Sequence, residues 1–480
     1  MKIRKIRFIE PGERPYKTSL QNHFVYDRYI RTPSVGLNLL ATIVKKKVKD
    51  TFMYSEAISK IVRSDVEDAD VIVIGIFTFN ANRGYKIADY FRHHTNAVVI
   101  LGGLHASMNY KEASRHCDYV LVGEGDESIL ELLKALKKEE EITFPGVAFR
   151  KGKKLIFTGN RQPPQKIDTI PDRYLVYKYH DRVHYNTIWP QVHASRGCPH
   201  NCDYCALVRH FGRKVRTRPV ENVIEDIKQS IEFFESGRFP RLLKGLWITD
   251  DNFFADREWA KSVLQGIIDS GIHYRFTIQA RYEVGFDDEM LDLLKRAGFF
   301  ELAMGIEFIG DKNFEAYHKK STVKEIQRAV QNIRRHGLSV RGLFILGGDY
   351  DTPGVGKRLS DFVIKNHIQG VLIQSMYFVP GTPVYEQNRE RLLHQNWSKY
   401  NGNVVHYPQN ITPYQLQLEH IYASERIYSV KRMLRAFVRD DSIHKILFLG
   451  EFLWHRSVCA DLKQELPYLK QQESLPKWKS

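Results

Sequence analysis

The sequence predicts an α/β protein in which a parallel-sheet domain is followed by a second, six-fold strand–helix repeat and a helical tail. Three observations carry this. Apolar, β-branched runs recur early, at Val71-Ile-Val-Ile-Gly75, Val98-Val-Ile-Leu101 and Tyr119-Val-Leu-Val122, with helical patterns over 34–47 and 84–93 around them. Strands that read as continuous apolar runs between helices belong to parallel sheets covered on both faces. The alternation then restarts at Gln191, and after about Glu390 the strand signal fades.

The 480 residues exceed what one ordinary core organises. The expected divisions are 1–160, a linker over 161–188, a barrel-like domain over 189–390 and a helical region over 391–480. Glycine-rich turns close the early strands at Gly75, Gly102-Gly103 and Gly123-Glu-Gly125. In open α/β sheets ligands bind outside the carboxyl ends of the strands, so these turns mark an edge that takes something flat or elongated. The linker is set by Gln162-Pro-Pro-Gln165 and Ile170-Pro-Asp172.

The second alternation offers strands at 191–195, 244–250, 274–279, 301–306, 340–346 and 370–377. Between them, Val220, Val223, Ile224, Ile227, Ile231 and Phe234 form one apolar stripe opened by Pro219 and closed by Gly237. Thr322-x-x-Glu325 is a capping box for a helix carrying Ile326, Val330 and Ile333 and stopping at Gly337. Six such units predict a partial (β/α)6 barrel with its site at the carboxyl ends of the strands. In the tail, Ile427, Val430, Leu434 and Val438 line up with Lys431, Arg432, Arg435 and Arg439 around them, either a core helix with a solvated basic face or a helix resting on a membrane surface.

Composition narrows the class. With 43% apolar and 27% charged residues the chain is globular, and no apolar run is long enough to span a membrane. The amino terminus lacks the apolar stretch of a secretory signal, so a cytoplasmic protein is expected, with peripheral membrane contact as a further option. The formal charge of +16 is spread along the chain without a recognised nucleic-acid module; a basic surface and an anionic or phosphorylated partner both fit it.

Five cysteines are not a disulfide framework, and three of them fall in Ser195-Arg-Gly-Cys198-Pro-His-Asn-Cys202-Asp-Tyr-Cys205. Cys117 and Cys459 read as core or incidental thiols. Three thiolates on one loop after a strand can grip three corners of a 4Fe–4S cubane, which takes four ligands, leaving one iron open to a substrate or cofactor. The alternative is zinc with His200 or His210 as fourth ligand; structural zinc more often takes two separated pairs.

Cys198-x3-Cys202-x2-Cys205, with Tyr204 before the last cysteine and Arg196-Gly197 ahead of the first, resembles the signature of radical S-adenosylmethionine (SAM) enzymes. The resemblance implies a 4Fe–4S cluster held by Cys198, Cys202 and Cys205, with SAM chelated at the open iron and cleaved reductively to a 5′-deoxyadenosyl radical. It also implies an electron donor such as a flavodoxin or ferredoxin. Later strand ends match the same family: Thr249-Asp250-Asp251-Asn-Phe253 for the SAM amino group or ribose, Gln279 and Arg281 for its carboxylate, Glu307 in Gly305-Ile-Glu307, Gly347-Gly348 for the adenosine, and Tyr377-x-x-Pro380-Gly-Thr-Pro383 as the last barrel turn.

The first domain resembles the Rossmann-like, flavodoxin-like cobalamin-binding domain fused to many such enzymes. The matching stretches are Pro33-Ser-Val-Gly36, Ile76-Phe-Thr78-Phe-Asn80, Gly102-Gly103-Leu-His105-Ala106 and Val122-Gly123-Glu124-Gly125-Asp-Glu127. Thr78, Asn80, Gly102, Gly103, Gly123, Glu124 and Gly125 are thereby candidate corrin neighbours. The Asp-x-His-x-x-Gly motif that supplies a lower cobalt ligand elsewhere is absent, and His105 is a turn residue or a corrin contact, not a cobalt ligand. The resemblance implies methylation of an unactivated carbon or phosphorus in a small molecule, with a lipid or a phosphorylated compound among the options. Cobalamin-independent radical oxidation or cyclisation and a non-catalytic cobalamin or iron–sulfur sensor remain as alternatives.

Overall fold

The computed structural model describes residues 1–12, 32–181, 190–236, 245–439 and 442–473. Gly237, expected to close the 220–235 helix, lies outside them, as do the first residue of the 244–250 strand candidate and part of the linker. The chain forms two compact units, one chiefly from residues 27–200 and 205–242, the other from 201–204 and 243–480.

The first unit is built on a seven-stranded sheet. Its strands are β1 (Lys5–Glu10), β2 (Asp50–Ser55), β3 (Val71–Gly75), β4 (Val98–Gly102), β5 (Tyr119–Leu121), β6 (Val147–Lys151) and β7 (Lys154–Phe157). They lie in the order β2-β1-β3-β4-β5-β6-β7. The first five are parallel, in the doubly wound order whose strand direction of propagation reverses between β1 and β3. Burial explains the apolar runs: Phe8, Val71, Ile72, Ile74, Ile100, Leu101 and Val120 are at most fully covered core. Ser34 caps the helix Val35–Lys45 through the Leu37 amide.

Sequence reading expected parallel strands throughout this unit. The β6–β7 pair is instead an antiparallel hairpin on the β5 edge, turning at Gly152 with φ +58°. Its half-exposed, lysine-rich residues suit a one-sided edge rather than a doubly covered strand. The 191–195 candidate divides into β8 (Gln191–Val192) and β9 (Ser195–Arg196), and β9 pairs antiparallel with β10 (Arg216–Thr217).

In the second unit, β11 (Leu246–Ile248), β12 (Phe276–Ala280), β13 (Phe299–Glu307), β14 (Ser339–Leu346) and β15 (Gly370–Ser375) form consecutive parallel neighbours. Helices Arg257–Asp269, Asp288–Arg296, Val323–Arg335 and Val355–Lys365 connect them. The expected capping box is formed: Thr322 and Glu325 exchange side-chain and backbone bonds at 2.9 and 3.2 Å. Between Gly305 and Glu307 the β13–β14 register slips by a bulge, which re-aims the last residue of β13.

The helices Pro413–Ile427, Val430–Arg439 and Ser442–Glu473 complete the unit. The stripe expected to run from Ile427 through Leu434 on one face is broken, because one helix ends at Ile427 and the next begins at Val430. Ile427 is fully buried, whereas Val430 and Leu434 are exposed. The side chains of Arg435, Val438 and Arg439 lie outside the described residues. Among the described residues no helix is long and apolar enough to cross a membrane.

Candidate active site

The cysteine loop leaves β9 through Gly197, whose φ of +92° favours glycine. A Cβ there would sit 2.4 Å from the Lys214 carbonyl oxygen. The Cys198 amide donates to the Gly212 carbonyl at 3.3 Å, and Arg213 donates to Pro199 O. Cys202 is buried, Cys198 and Cys205 are half-buried, and none of the three forms a disulfide.

The middle of the loop, Cys202-Asp203-Tyr204, is fastened within the second unit. The Asp203 amide donates to Tyr317 O at 3.3 Å and its carbonyl accepts from Val384 N at 3.4 Å. Its carboxylate meets His318 Nδ1 at 2.7 Å. The Tyr204 ring stands edge-on to Phe308 and Tyr317, which stack on each other at 5.4 Å.

The donor set decides what these thiols fit. Among the described residues no three Cys, His, Asp or Glu side chains converge on a single metal position. Neither His200 nor His210 therefore completes a mononuclear site with the cysteines. Thiols that each serve a different iron of a cubane need not share one centre, so three thiols on one backbone-braced loop, outside any disulfide, fit the cluster.

Glu307 ends β13 at φ +67°, a conformation uncommon for a side-chain-bearing residue and a pointer to a functional position. Beside it lies Lys319, which no sequence motif singled out. Its ammonium donates to Gly305 O at 2.6 Å and to the Glu307 carboxylate at 3.3 Å, with 3% of the side chain exposed. Burial lowers the Lys319 pKa, and the Glu307 charge opposes that shift. Glu307 and Tyr204 line a cavity of about 250 Å³ with Phe344, Leu372, Gln374 and Tyr377 at the carboxyl ends of β14 and β15.

Other expected residues arrive at the same strand ends of this unit. Asp250 is buried and Asp251 half-buried after β11. Gln279 lies in β12, and Arg281 just after it pairs with Glu283 at 2.9 Å. After β14, Gly347 and Gly348 both donate to the Asp351 carboxylate, at 2.8 and 3.2 Å, and Asn313 Nδ2 donates to it at 2.9 Å. A Cβ on Gly348 would lie 2.7 Å from Asn313 Oδ1. The bare backbone of this turn is thus already used by Asn313, and Asp351 braces it, a role the sequence did not signal.

Burial pushes Asp351 up to about 6, against the pull of those N–H donors. A carboxyl whose folded value is raised binds its proton more tightly in the native state, so its contribution to stability is greatest below the unfolded value. It is lost as pH rises through about 6. As pH rises from 4 to 6, the unfolding free energy from denaturant titration should therefore fall more in the wild type than in Asp351→Asn, by on the order of 2–3 kcal/mol across the window.

The edge of the first unit mixes open and committed positions. A Cβ on Gly123 would meet nothing within 4 Å, and one on Gly102 only Leu121, whereas one on Gly103 would lie 2.8 Å from Ile76 O. Gly125 packs under Leu40. Thr78, Asn80 and His105 are all buried. Asn80 accepts from the Phe77 amide and donates to Pro11 O; His105 Nδ1 lies 3.2 Å from the Thr78 hydroxyl. Through these bonds the three side chains take part in building the turns.

Glu124 also departs from expectation. With 2% of its side chain exposed, its carboxylate is held by Arg196 at 2.5 Å and by Arg216 at 2.6 and 3.1 Å. Phe77, exposed, and Phe79 stack at 5.6 Å on the loop after β3, and neither was singled out from sequence.

Residues 192–357 match the family model for the radical SAM superfamily, and residues 27–133 match that for the B12 binding domain. The chain is 25% identical over 371 residues to bacteriochlorophyllide d C-12(1)-methyltransferase of Chlorobaculum tepidum, covering 77% of this chain and 76% of that protein. It is 27% identical to an uncharacterized methyltransferase of Pyrococcus horikoshii, over 95% and 96% of the two chains. With hopanoid C-2 methylase of Rhodopseudomonas palustris it shares 24% identity over 62% of each. Among solved structures, the cobalamin-dependent SAM radical enzyme OxsB aligns with a TM-score of 0.70 over 97% of this chain and 73% of that one, at 12% identity. The radical SAM methyltransferase TsrM of Kitasatospora setae, solved with cobalamin and a [4Fe-4S] cluster, aligns at 0.62 over 81% and 78%, at 15% identity. At these identities the structural likeness establishes the fold.

Proposed function

This chain belongs to the radical SAM superfamily and carries a B12-binding domain, and from that premise we propose that it is a cobalamin-dependent methyltransferase acting on an unactivated carbon, or phosphorus, of a small molecule. The observation that carries the reading is the three-thiol loop, braced at Gly197, Cys198 and Asp203, in a chain whose first unit is a doubly wound sheet with open glycine turns. When bound, the cluster, SAM and cobalamin supply an electron, a hydrogen-abstracting radical and a transferable methyl group.

The residues divide the work. Cys198, Cys202 and Cys205 would hold three irons and leave the fourth for SAM. Glu307, Asp250 and Asp251 offer negative charge to the SAM ammonium and ribose, and Arg281 offers a cation to its carboxylate. Gln279 and the Gly347-Gly348 turn would border the nucleoside. Gly102 and Gly123 leave room above the sheet for a corrin.

The lining of the cavity supports the substrate class. Leu343, Ile345, Leu372, Met376 and Val379 surround the few polar groups Gln374, Ser375 and Glu307, which suits an apolar carbon skeleton. The named relatives act, by name, on a bacteriochlorophyllide and a hopanoid. The exposed Val430 and Leu434 beside Lys431 further favour contact with an anionic lipid surface, where such a substrate would be met. An electron donor completes the system.

The test is anaerobic reconstitution with iron, sulfide and cobalamin, followed by SAM carrying a deuterated methyl group. Methyl label on the bound corrin and 5′-deoxyadenosine under strong reductant are expected. Deuterium-free corrin with normal 5′-deoxyadenosine output would refute the methyltransferase reading.

A further inference from the structure

Glu124 sits in the Gly123–Asp126 turn at the carboxyl end of β5, on the edge where the B12-binding sheet would take its ligand, yet its carboxylate is turned onto the two strands that frame the cysteine loop. Arg196 and Arg216 face each other as direct cross-strand partners in the β9–β10 pair. Like charges so placed repel. Glu124 bonds to both, and Asp126 takes Arg196 in a bidentate pair at 3.0 Å on each side. Two guanidinium groups are thereby balanced by two carboxylates, with side-chain exposures of 12% and 4% for the arginines and 2% and 13% for the acids. Arg216 uses further donors on Pro164 O and Phe211 O, both at 2.9 Å. The turn is held from its other side by the Gly123 amide donating to Ser107 Oγ at 3.0 Å. Arg196 stands two residues before Cys198.

We infer that Glu124 is a positioning residue: through Arg196 and Arg216 it fixes the cluster loop in register with the corrin-binding edge of the sheet. The inference rests on the cobalamin reading above. A radical generated at one cofactor and a methyl group carried by another can serve one substrate only if the two are held at a fixed separation. A buried, charge-balanced pair is directional and leaves few alternative geometries for the segments it joins. Glu124 touches neither reacting group, so its effect should be on the geometry between cofactors and not on the occupancy of either.

The experiment is pulsed dipolar spectroscopy on the holoenzyme, between cob(II)alamin and the reduced cluster. The wild type should give one narrow distance distribution. Glu124→Gln removes the charge and keeps the shape, and should widen that distribution at least about twofold with iron and cobalamin contents unchanged. Asp226→Asn serves as the control, because Asp226 is an equally buried partner of Arg173 and Arg218 elsewhere in the same unit; it should leave the width alone. An unchanged width in Glu124→Gln, or equal widening in the control, overturns the inference. If Glu124→Gln does not accumulate, Glu124→Asp carries the test: a shifted or broadened distance supports it and a wild-type trace overturns it. Wild-type protein that retains no corrin absorbance after reconstitution would sink the cobalamin reading instead. The tie would then be read by hydrogen exchange: Glu124→Gln, relative to Asp226→Asn, should raise exchange around 122–126 and 195–198 together, and a rise in only one segment would overturn it.

Discussion

Replacing Cys202 with alanine is expected to abolish reductive SAM cleavage, a fall of at least about a thousandfold, while leaving the apoprotein folded. The two effects separate for a physical reason. Cys202 is buried but small, so its loss removes the burial of one sulfur, about 1 kcal/mol of stability. Its segment stays docked through groups that alanine does not disturb: the Asp203 amide on Tyr317 O, the Asp203 carbonyl on Val384 N and the Asp203 carboxylate on His318. The cluster, by contrast, would have three protein thiolates to begin with, and among the described residues no group of three or more Cys, His, Asp or Glu side chains gathers for a metal in their place. Iron content and 5′-deoxyadenosine formation should collapse together, with the urea midpoint of the apoprotein nearly unmoved.

The second large effect is expected at Lys319. Methionine there matches the length of the side chain and removes its charge. It leaves the Gly305 carbonyl and the Glu307 carboxylate without their shared donor. Breaking a buried pair by deleting one partner costs about 3–5 kcal/mol. Because 18% of the Glu307 side chain reaches solvent, about 2–3 kcal/mol is the better expectation. Released from Lys319, a Glu307 held at positive φ loses the ammonium that directs its carboxylate, and SAM affinity should fall about tenfold. Lys319→Met should therefore lower both the unfolding midpoint and SAM binding in an equilibrium titration. Unchanged SAM affinity would show that Glu307 does not depend on Lys319 for its placement.

The difference between Cys202 and Lys319 also measures how far the sequence could be read. The cysteines announce themselves because their spacing lies within eight consecutive residues and their chemistry is rare. The strands β3, β4 and β5 were legible because doubly covered strands must be apolar throughout, as Val71 to Ile74 and Val98 to Leu101 are. The Thr322 box was legible because a cap is a local device. Lys319 carries no such mark. In His318-Lys319-Lys320 it reads as a solvated basic turn, and it is buried only because the bulge at Gly305–Glu307 brings a carbonyl and a carboxylate to meet it from 14 and 12 residues away.

Glu124 shows the same limit over longer range. Its motif placed it at the sheet edge correctly, but its partners lie 72 and 92 residues downstream, and no local pattern states where a carboxylate turns. The β6–β7 hairpin was missed for a different reason: its apolar runs are only Val147-Ala-Phe149 and Leu155-Ile-Phe157, cut short by Arg150, Lys151 and Lys154 at the partly covered turn. The tail misled because a helical periodicity persists through Ile427 and Val430, although Tyr428 is drawn into the core to bond Glu451 and the Val371 amide and ends the helix there.

The central claim is a cubane with one iron left open for SAM, and electron paramagnetic resonance of the reduced, anaerobically reconstituted protein tests it most directly. About four irons per chain are predicted, with a cluster signal whose g-values shift when SAM is added and whose lines broaden when the SAM carboxylate carries 17O. A chain that takes up zinc in place of iron, or a cluster signal indifferent to saturating SAM, would contradict it.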